Sequence, residues 1–311
     1  MMADAEFNYI EQFFRAKATV KQASTHIYNG DDASVHSLET DEELVVSTDT
    51  AVAGVHWPHD FPLVQAAERA LCAALSDLAA MGAEARWAWV SVMSHNKEGL
   101  HDMGEGVANA LNRYQVELAG GDTVHAPIYA LNITVAGVVK KGAAMQRNKA
   151  CAGDRIWVVG KLGFASLGLT QWQAGEKDGL LVPFFRDIQP KLEQGARLRE
   201  LGVSCCIDVS DGLLQDAGHI ASASNVGMQF ELSRFPEWQN MVEDVGVEHA
   251  TEAMLSGGED YALLFTAPAA LSGLEYFADC IGEVNDSLEM KVLLDGEEAI
   301  YTHVGYEHFA N

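Results

Sequence analysis

Apolar residues at helical spacing open the chain: Phe7, Ile10 and Phe14 share one face of residues 6–18, and Phe13 widens it. The pattern predicts a single amphipathic helix. Polar loop chemistry follows in Asn29-Gly30-Asp31-Asp32, and residues 44–49 read as a short strand running out into an acidic turn. Residues 65–81 are apolar nearly all round, apart from a narrow stripe of Glu68, Arg69, Cys72 and Ser76. A mostly buried helix stopped by Gly82 is predicted there. Residues 86–93 and 129–139 are strand-like, with a helix over 100–114 and another strand over 115–119 that ends at Gly120-Gly121-Asp122-Thr123. Several strands and two helices in this order fit an α/β sandwich.

A basic, glycine-containing stretch over 142–154 reads as a boundary, giving domains of residues 1–141 and 142–311. The second half restarts with a strand over 155–159 and a turn, Gly160-Lys161-Leu162-Gly163, that leads into a helix. A buried strand over 203–209 runs into Ser210-Asp211-Gly212, which opens a helix reaching residue 223. Ser256-Gly257-Gly258-Glu259-Asp260 then precedes a strand over 261–266. Both halves set an acidic Gly/Ser turn at a strand edge, without a convincing repeat period. A two-domain α/β (α+β) fold accounts for the pattern.

At 311 residues, 48% hydrophobic and 21% charged, the chain is long enough for two cores and is not of disordered composition. Its longest apolar run, residues 129–139, is broken by Asn132, Thr134 and Gly137, so no membrane-spanning helix is predicted. The N-terminus lacks the basic start and apolar stretch of a signal peptide, which predicts a cytoplasmic protein. Five cysteines without CxxC or zinc spacing fit reduced, packed thiols. A net charge of −25, with no Lys/Arg cluster beyond Lys140-Lys141, argues against a nucleic-acid partner. A phosphate-handling protein of this composition would need cations.

The candidate chemistry lies in nine carboxylates set among glycines and small hydroxyls: Asp31, Asp32, Asp49, Asp77, Asp122, Asp208, Asp211, Glu259 and Asp260. Oxygen donors of this kind suit Mg²⁺ shared with phosphates. Asp77 lies near the end of its helix, where an anion opposes the macrodipole unless a cation stands beside it; the plainer alternative is that it faces solvent. Ile207-Asp208-Val209-Ser210-Asp211-Gly212 delivers two carboxylates three residues apart. Ser210 or Asp211 can cap the next helix, whose N-terminus also offers N–H groups to an anion. Ser47-Thr48-Asp49-Thr50 offers hydroxyl and carboxylate oxygens, and Gly120-Gly121-Asp122-Thr123 a close backbone approach to phosphate; ordinary turns use the same letters. His56, before Trp57-Pro58, taken alone reads as structural or exposed. The chain has no HExxH, GxxxxGK[ST] or GxSxG, and no GxGxxG opening a helix, so zinc hydrolysis, the common nucleotide loops and covalent catalysis find no support.

Together and in order, the segments GDDA (30–33), STDTAVAGVHW (47–57), LSDLAAMGA (75–83), AGGDT (119–123), Arg147 before AGD (152–154), IDVSDGLLQDAGHI (207–220), SGGEDYALLFT (256–266), IGEV (281–284) and GYEHF (305–309) resemble the thiamine-monophosphate kinase family. That family belongs to the superfamily of aminoimidazole ribonucleotide synthetase and selenophosphate synthetase. The resemblance implies a homodimer whose N-terminal domains pair in a β-barrel-like core, with ATP in the cleft between domains. It implies transfer of the γ-phosphoryl group of ATP to thiamine monophosphate, giving thiamine diphosphate and ADP. Several Mg²⁺ ions would be held by Asp32, Ser47, Thr48, Asp49, Asp77, Asp122, Asp208 and Asp211. Of these, Asp49, Asp77, Asp122 and Asp208 would clamp the cations around the transferring group. Gly121, Asp122, Arg147 and Ser210 would contact the nucleotide, and His56, Glu259 and Tyr306 the thiamine phosphate.

Three segments depart from the family pattern. RDIQPKLEQG (186–195) keeps only Pro190-Lys191 of an Arg-Pro-x-Pro-Arg-like stretch; GKLGFASLGL (160–169) lacks an acidic or small residue after its second glycine; and residues 123–125 read TVH. Two other readings stand beside the kinase. One is a synthetase of the same superfamily, although no cysteine precedes Cys72 as a selenophosphate synthetase would require. The other is a non-catalytic divalent-ion or nucleotide-binding protein.

Overall fold

The computed structural model describes residues 9–29, 31–302 and 305–306. Phe7, Gly30 and positions 307–309 of the terminal motif lie outside the described residues. The chain divides into two compact units, Met1–Leu78 with Ala83–Gly142, and Ala79–Gly82 with Ala143–Asn311.

In the first unit the amphipathic N-terminal pattern closes as a π-helical turn, Ile10–Arg15, with Phe14 buried. Strands β1 (Thr25–Ile27) and β2 (Val35–His36) form a hairpin. The elements that follow are β3 (Glu42–Val52), α1 (Leu63–Ala80), β4 (Glu84–Ser94), α2 (Lys97–Arg113), β5 (Glu117–His125) and β6 (Ala130–Lys140). The four longer strands make one sheet in the order β3-β6-β4-β5. Only β4 and β5 run parallel, and α2 is the crossover between them. Asn96 starts α2 by accepting the Gly99 N–H at 2.7 Å. At the end of α1 the Ala83 N–H reaches the Leu78 carbonyl (2.8 Å) and the Gly82 N–H reaches that of Ala79 (2.9 Å). This is the paired closure that the stop at Gly82 predicts. Arg69, Cys72 and Ser76, the polar stripe of α1, are buried rather than solvated.

Two predicted turns prove to be strand. Asp49 lies inside β3 and Asp122 inside β5, not in loops beyond them. The β-branched residues Thr48, Thr50 and Val52 carry the alternation past Asp49, and Thr123 and Val124 do the same past Asp122. Both strands lie at sheet edges, where one side of the backbone is open and acidic side chains are tolerated.

The second unit contains β7 (Asp154–Val159), α3 (Phe164–Gln173), α4 (Val182–Arg186), α5 (Leu192–Glu200), β8 (Cys205–Val209), α6 (Leu213–Ser224), β9 (Gly227–Glu231), α7 (Trp238–Val245), α8 (Val247–Ser256), β10 (Ala262–Pro268), β11 (Asp279–Asn285), β12 (Met290–Leu294) and β13 (Glu297–Glu298). Its seven strands are ordered β13-β12-β9-β11-β7-β10-β8, antiparallel except for the β12–β9 pair. The central strands are buried on both faces, which is why their sequences are continuously apolar. Ile156, Val158, Ile207, Val209 and Leu264 enter one core. Their neighbours Trp157, Val159, Cys206, Leu263 and Phe265 enter the other. All five cysteines are free thiols; Cys72, Cys205 and Cys206 are buried, whereas Cys151 is exposed.

Candidate active site

In the first unit, Ser47 and Asp49 point to one face of β3, since strand side chains alternate. The Ser47 hydroxyl donates to Asp77 Oδ2 on α1 at 2.5 Å. Asp77 therefore does not simply face solvent: it is half-buried and tied to the sheet. Asp49 Oδ1 accepts the Thr50 N–H at 2.7 Å. Thr48 faces the other way, its hydroxyl against the Ile133 carbonyl (3.3 Å) and the Thr134 hydroxyl (3.1 Å). Its side chain does not reach the Ser47–Asp77 side.

Asp122 repeats the local geometry of Asp49, accepting the next N–H, that of Thr123, at 2.8 Å. Gly121 is required by packing: a Cβ there would lie 2.0 Å from the Val90 carbonyl of β4. Gly120, Gly121, Asp122 and Thr123 share a small cavity with Asn29, which precedes the Asp31-Asp32 pair. Asp31 Oδ1 accepts the Asp32 N–H at 2.9 Å. Asp49 and Asp122 are on opposite edge strands, three spacings of ~4.8 Å apart, or roughly 14 Å. The first unit thus holds Ser47, Asp49 and Asp77 at one edge of its sheet and Asp122 at the other. His56 Nδ1 accepts the Val52 N–H at 3.1 Å, which leaves the ring proton on Nε2.

In the second unit three sequence-distant segments meet. Asp208 is buried on β8 opposite Leu263 of β10. Beyond it the Ser210 carbonyl accepts the Glu259 N–H at 2.7 Å, and the Asp211 carbonyl accepts the Tyr306 N–H at 3.0 Å. Gln215 Nε2 bridges Asp211 Oδ2 (3.2 Å) and the Tyr306 carbonyl (2.9 Å). A Cβ on Gly258 would meet the Ser210 carbonyl at 2.5 Å, so only glycine permits this approach. Glu259 and Tyr261 both adopt left-handed backbone (φ 72° and 49°), which costs each residue about 1 kcal/mol or more. The Tyr261 hydroxyl donates to Glu259 Oε2 at 3.2 Å.

Neither Ser210 nor Asp211 caps α6. The N–H groups of Ser210, Asp211 and Gly212 all point at Asp216 Oδ2, at 2.9, 3.1 and 3.3 Å. The amides expected to meet an anion are occupied by the chain's own carboxylate. Burial pushes the Asp216 carboxyl up to about 6 despite these donors. Asp260, without a role in the sequence reading, accepts from the Gly163 and Ala165 N–H groups at 2.6 and 3.0 Å and so caps α3. Asp216 was missed, although an aspartate in the first turn after Ser-Asp-Gly is a capping signal. Arg147 is exposed and stands apart from this junction. Its carbonyl accepts from Ser224 at the far end of α6 (2.9 Å), about 18 Å of helix from Leu213.

Among the described residues no three His, Cys, Asp or Glu side chains converge as a ready metal cage. The donors are oxygens in ones and twos, an arrangement that fits Mg²⁺ completed by phosphate and water rather than enclosed by protein.

Residues 30–139 match the family described as AIR synthase related protein, N-terminal domain, and residues 152–295 match its C-terminal domain. The thiamine-monophosphate kinase of Escherichia coli K12 is 34% identical over 327 aligned positions, covering 99% of each chain. That of Haemophilus influenzae is 32% identical, again over 99% of each. The crystal structure of thiamine-monophosphate kinase from Stenotrophomonas maltophilia K279a superposes with a TM-score of 0.83 at 33% identity, covering 95% of this chain and 98% of the other. By fold, motif order and end-to-end identity, the chain belongs to the thiamine-monophosphate kinase family of AIR synthase-related proteins.

Proposed function

We propose that the protein phosphorylates thiamine monophosphate with ATP, giving thiamine diphosphate and ADP. The observation that carries this reading is the 34% identity to a thiamine-monophosphate kinase over 99% of both chains. The scattered oxygen donors support it, because phosphoryl transfer needs positioning and charge neutralisation more than covalent chemistry. Transfer is direct and in line, with the acceptor phosphate oxygen attacking the γ-phosphorus. That oxygen is already largely ionised near neutral pH, so no strong general base is needed.

Asp32, Ser47, Thr48 (through its carbonyl), Asp49, Asp77 and Asp122 of the first unit, with Asp208 and Asp211 of the second, would hold Mg²⁺. Bound there, Mg²⁺ supplies the positive charge that lets two phosphorylated anions approach a chain of net charge −25. Ser47 orients Asp77 by its hydroxyl bond. Gly121, Asp122, Arg147 and Ser210 contact the nucleotide, while His56, Glu259 and Tyr306 receive thiamine phosphate. Tyr306 is half-exposed, and its aromatic face suits packing against a flat ring.

The protein acts as a homodimer in the cytoplasm. Exposed Leu44 and Val46 on the open face of edge strand β3 support pairing of two first units into a barrel-like core. No helix among the described residues is long and apolar enough to cross a membrane. An assay of thiamine diphosphate formation tests the reading. ATP consumption independent of thiamine monophosphate would favour a synthetase, and no turnover would favour a binding protein.

A further inference from the structure

We propose that Lys191 is a phosphate-binding residue of the second unit, an inference that rests on the kinase reading above. Lys191 immediately precedes α5 and is only partly exposed. Its Cε lies 3.5 Å from where a Cβ on Gly160 would be, and the same point is 3.1 Å from the Ala262 Cβ. Gly160 follows the last residue of β7, and Ala262 is the first residue of β10. Ala262 pairs with Val209, and the next residue after Val209 is Ser210, which holds Glu259. The lysine stem therefore stands at the strand ends that carry Ser210, Asp211 and Glu259.

No hydrogen bond or ion pair reaches the Lys191 ammonium among the described residues. Exposed cations such as Lys141, Lys149 and Arg155 also lack a partner among the described residues, but water solvates them, whereas Lys191 is partly buried. Lys161, in the neighbouring turn, pairs with Glu237 at 3.0 Å and lies over the Phe164 and Phe184 rings. Burial alone acts on the Lys191 amine, and it lowers the pKa. A cation at a helix N-terminus also opposes the macrodipole, so the fold itself gains nothing from this charge. A partly buried cation without a carboxylate, at strand ends bearing phosphate-site residues, is matched by a phosphate oxygen, which an ammonium binds as a point charge.

The phosphate can come from ATP or from thiamine monophosphate, and separate titrations distinguish them. Full-length wild type, Lys191→Met and Lys191→Arg are titrated calorimetrically with Mg²⁺ and each ligand in turn, and their ligand-free melting temperatures are compared. Lys191→Met is expected to weaken binding in one arm at least about tenfold, with Lys191→Arg recovering most of it. Loss in the ATP arm assigns the nucleotide phosphates; loss in the other assigns the acceptor. The ligand-free melting temperature of Lys191→Met should equal or exceed that of wild type, because an unpaired buried charge is gone. Unchanged affinity in both arms, or weaker binding that accompanies a lower melting temperature, overturns the proposal. Wild type that binds ATP but forms no thiamine diphosphate breaks the kinase reading while leaving the Lys191 comparison readable.

Discussion

Ser47 and Asp77 are joined by a 2.5 Å hydroxyl–carboxylate hydrogen bond that links edge strand β3 to the last turns of helix α1. The bond aims a half-buried carboxylate and shares one of its oxygens with a donor that can itself face a cation. Removing the hydroxyl leaves the charge and loses the aim. Ser47→Ala should weaken the apparent Mg²⁺ affinity by about 10- to 100-fold, with turnover largely recovered at saturating Mg²⁺. Asp77→Asn should lose turnover at limiting Mg²⁺ more severely. Mg²⁺ titrations of initial rate check both, and undiminished turnover of Asp77→Asn at limiting Mg²⁺ would remove Asp77 from the site.

Left-handed Glu259 trades stability for position. Glu259→Gly should stabilise the fold by about 1 kcal/mol through relief of backbone strain, while raising KM for thiamine monophosphate. Urea unfolding and steady-state kinetics measure the two effects. A variant that is less stable, with KM unchanged, would make Glu259 a structural residue.

His36 stands in a network whose protons can be placed. Thr25 must donate to Glu117 Oε2 (2.6 Å), because a carboxylate only accepts, so His36 Nδ1–H donates to the Thr25 hydroxyl (2.9 Å). Ser34 accepts from Trp89 Nε1 (3.2 Å), and its hydroxyl donates to His36 Nε2 (2.8 Å) when the ring is neutral. Burial lowers its pKa from 6.5, partly opposed by Glu117, which favours the neutral ring. A lowered histidine binds fewer protons folded than unfolded. Its contribution to stability is thus present above pH 6.5 and is lost as pH falls through the folded pKa. Wild type should lose stability on acidification below that pH more steeply than His36→Asn, in melts followed by tryptophan fluorescence. Parallel pH profiles of the two proteins would contradict the assignment.

Val46 is 55% exposed on an 11-residue edge strand, with Leu44 beside it on the same face at 51%. A charge there should oppose pairing of two copies without disturbing the monomer core. Val46→Glu is expected to sediment as a monomer where wild type sediments as a dimer, and a monomeric wild type would remove the proposed barrel.

The alternating and helical patterns made most elements legible, including α1 with its stop at Gly82 and the continuous apolar strands β7, β8 and β10. Acidic and glycine letters mark turns locally, so the sequence ends the first strand at Asp49 and sets Asp122 in a turn, whereas the strands run on to Val52 and His125. Only the sheet shows that Asp49 and Asp122 occupy edge strands, and that Gly121 answers to the Val90 carbonyl. The motif order pointed to Ser210, Asp211, Glu259 and Tyr306, and the structure brings these together in the second unit. The capping roles of Asp216 and Asp260 were not legible. Their roles depend on which backbone amides or neighbours lie within reach, and residue spacing does not encode that.

The most direct test is a coupled assay of the purified full-length protein with ATP, Mg²⁺ and thiamine monophosphate, reading ADP and thiamine diphosphate together. The account predicts equal amounts of the two products, and neither when thiamine monophosphate or Mg²⁺ is left out. ADP released without thiamine monophosphate, or no thiamine diphosphate under any of these conditions, would contradict it.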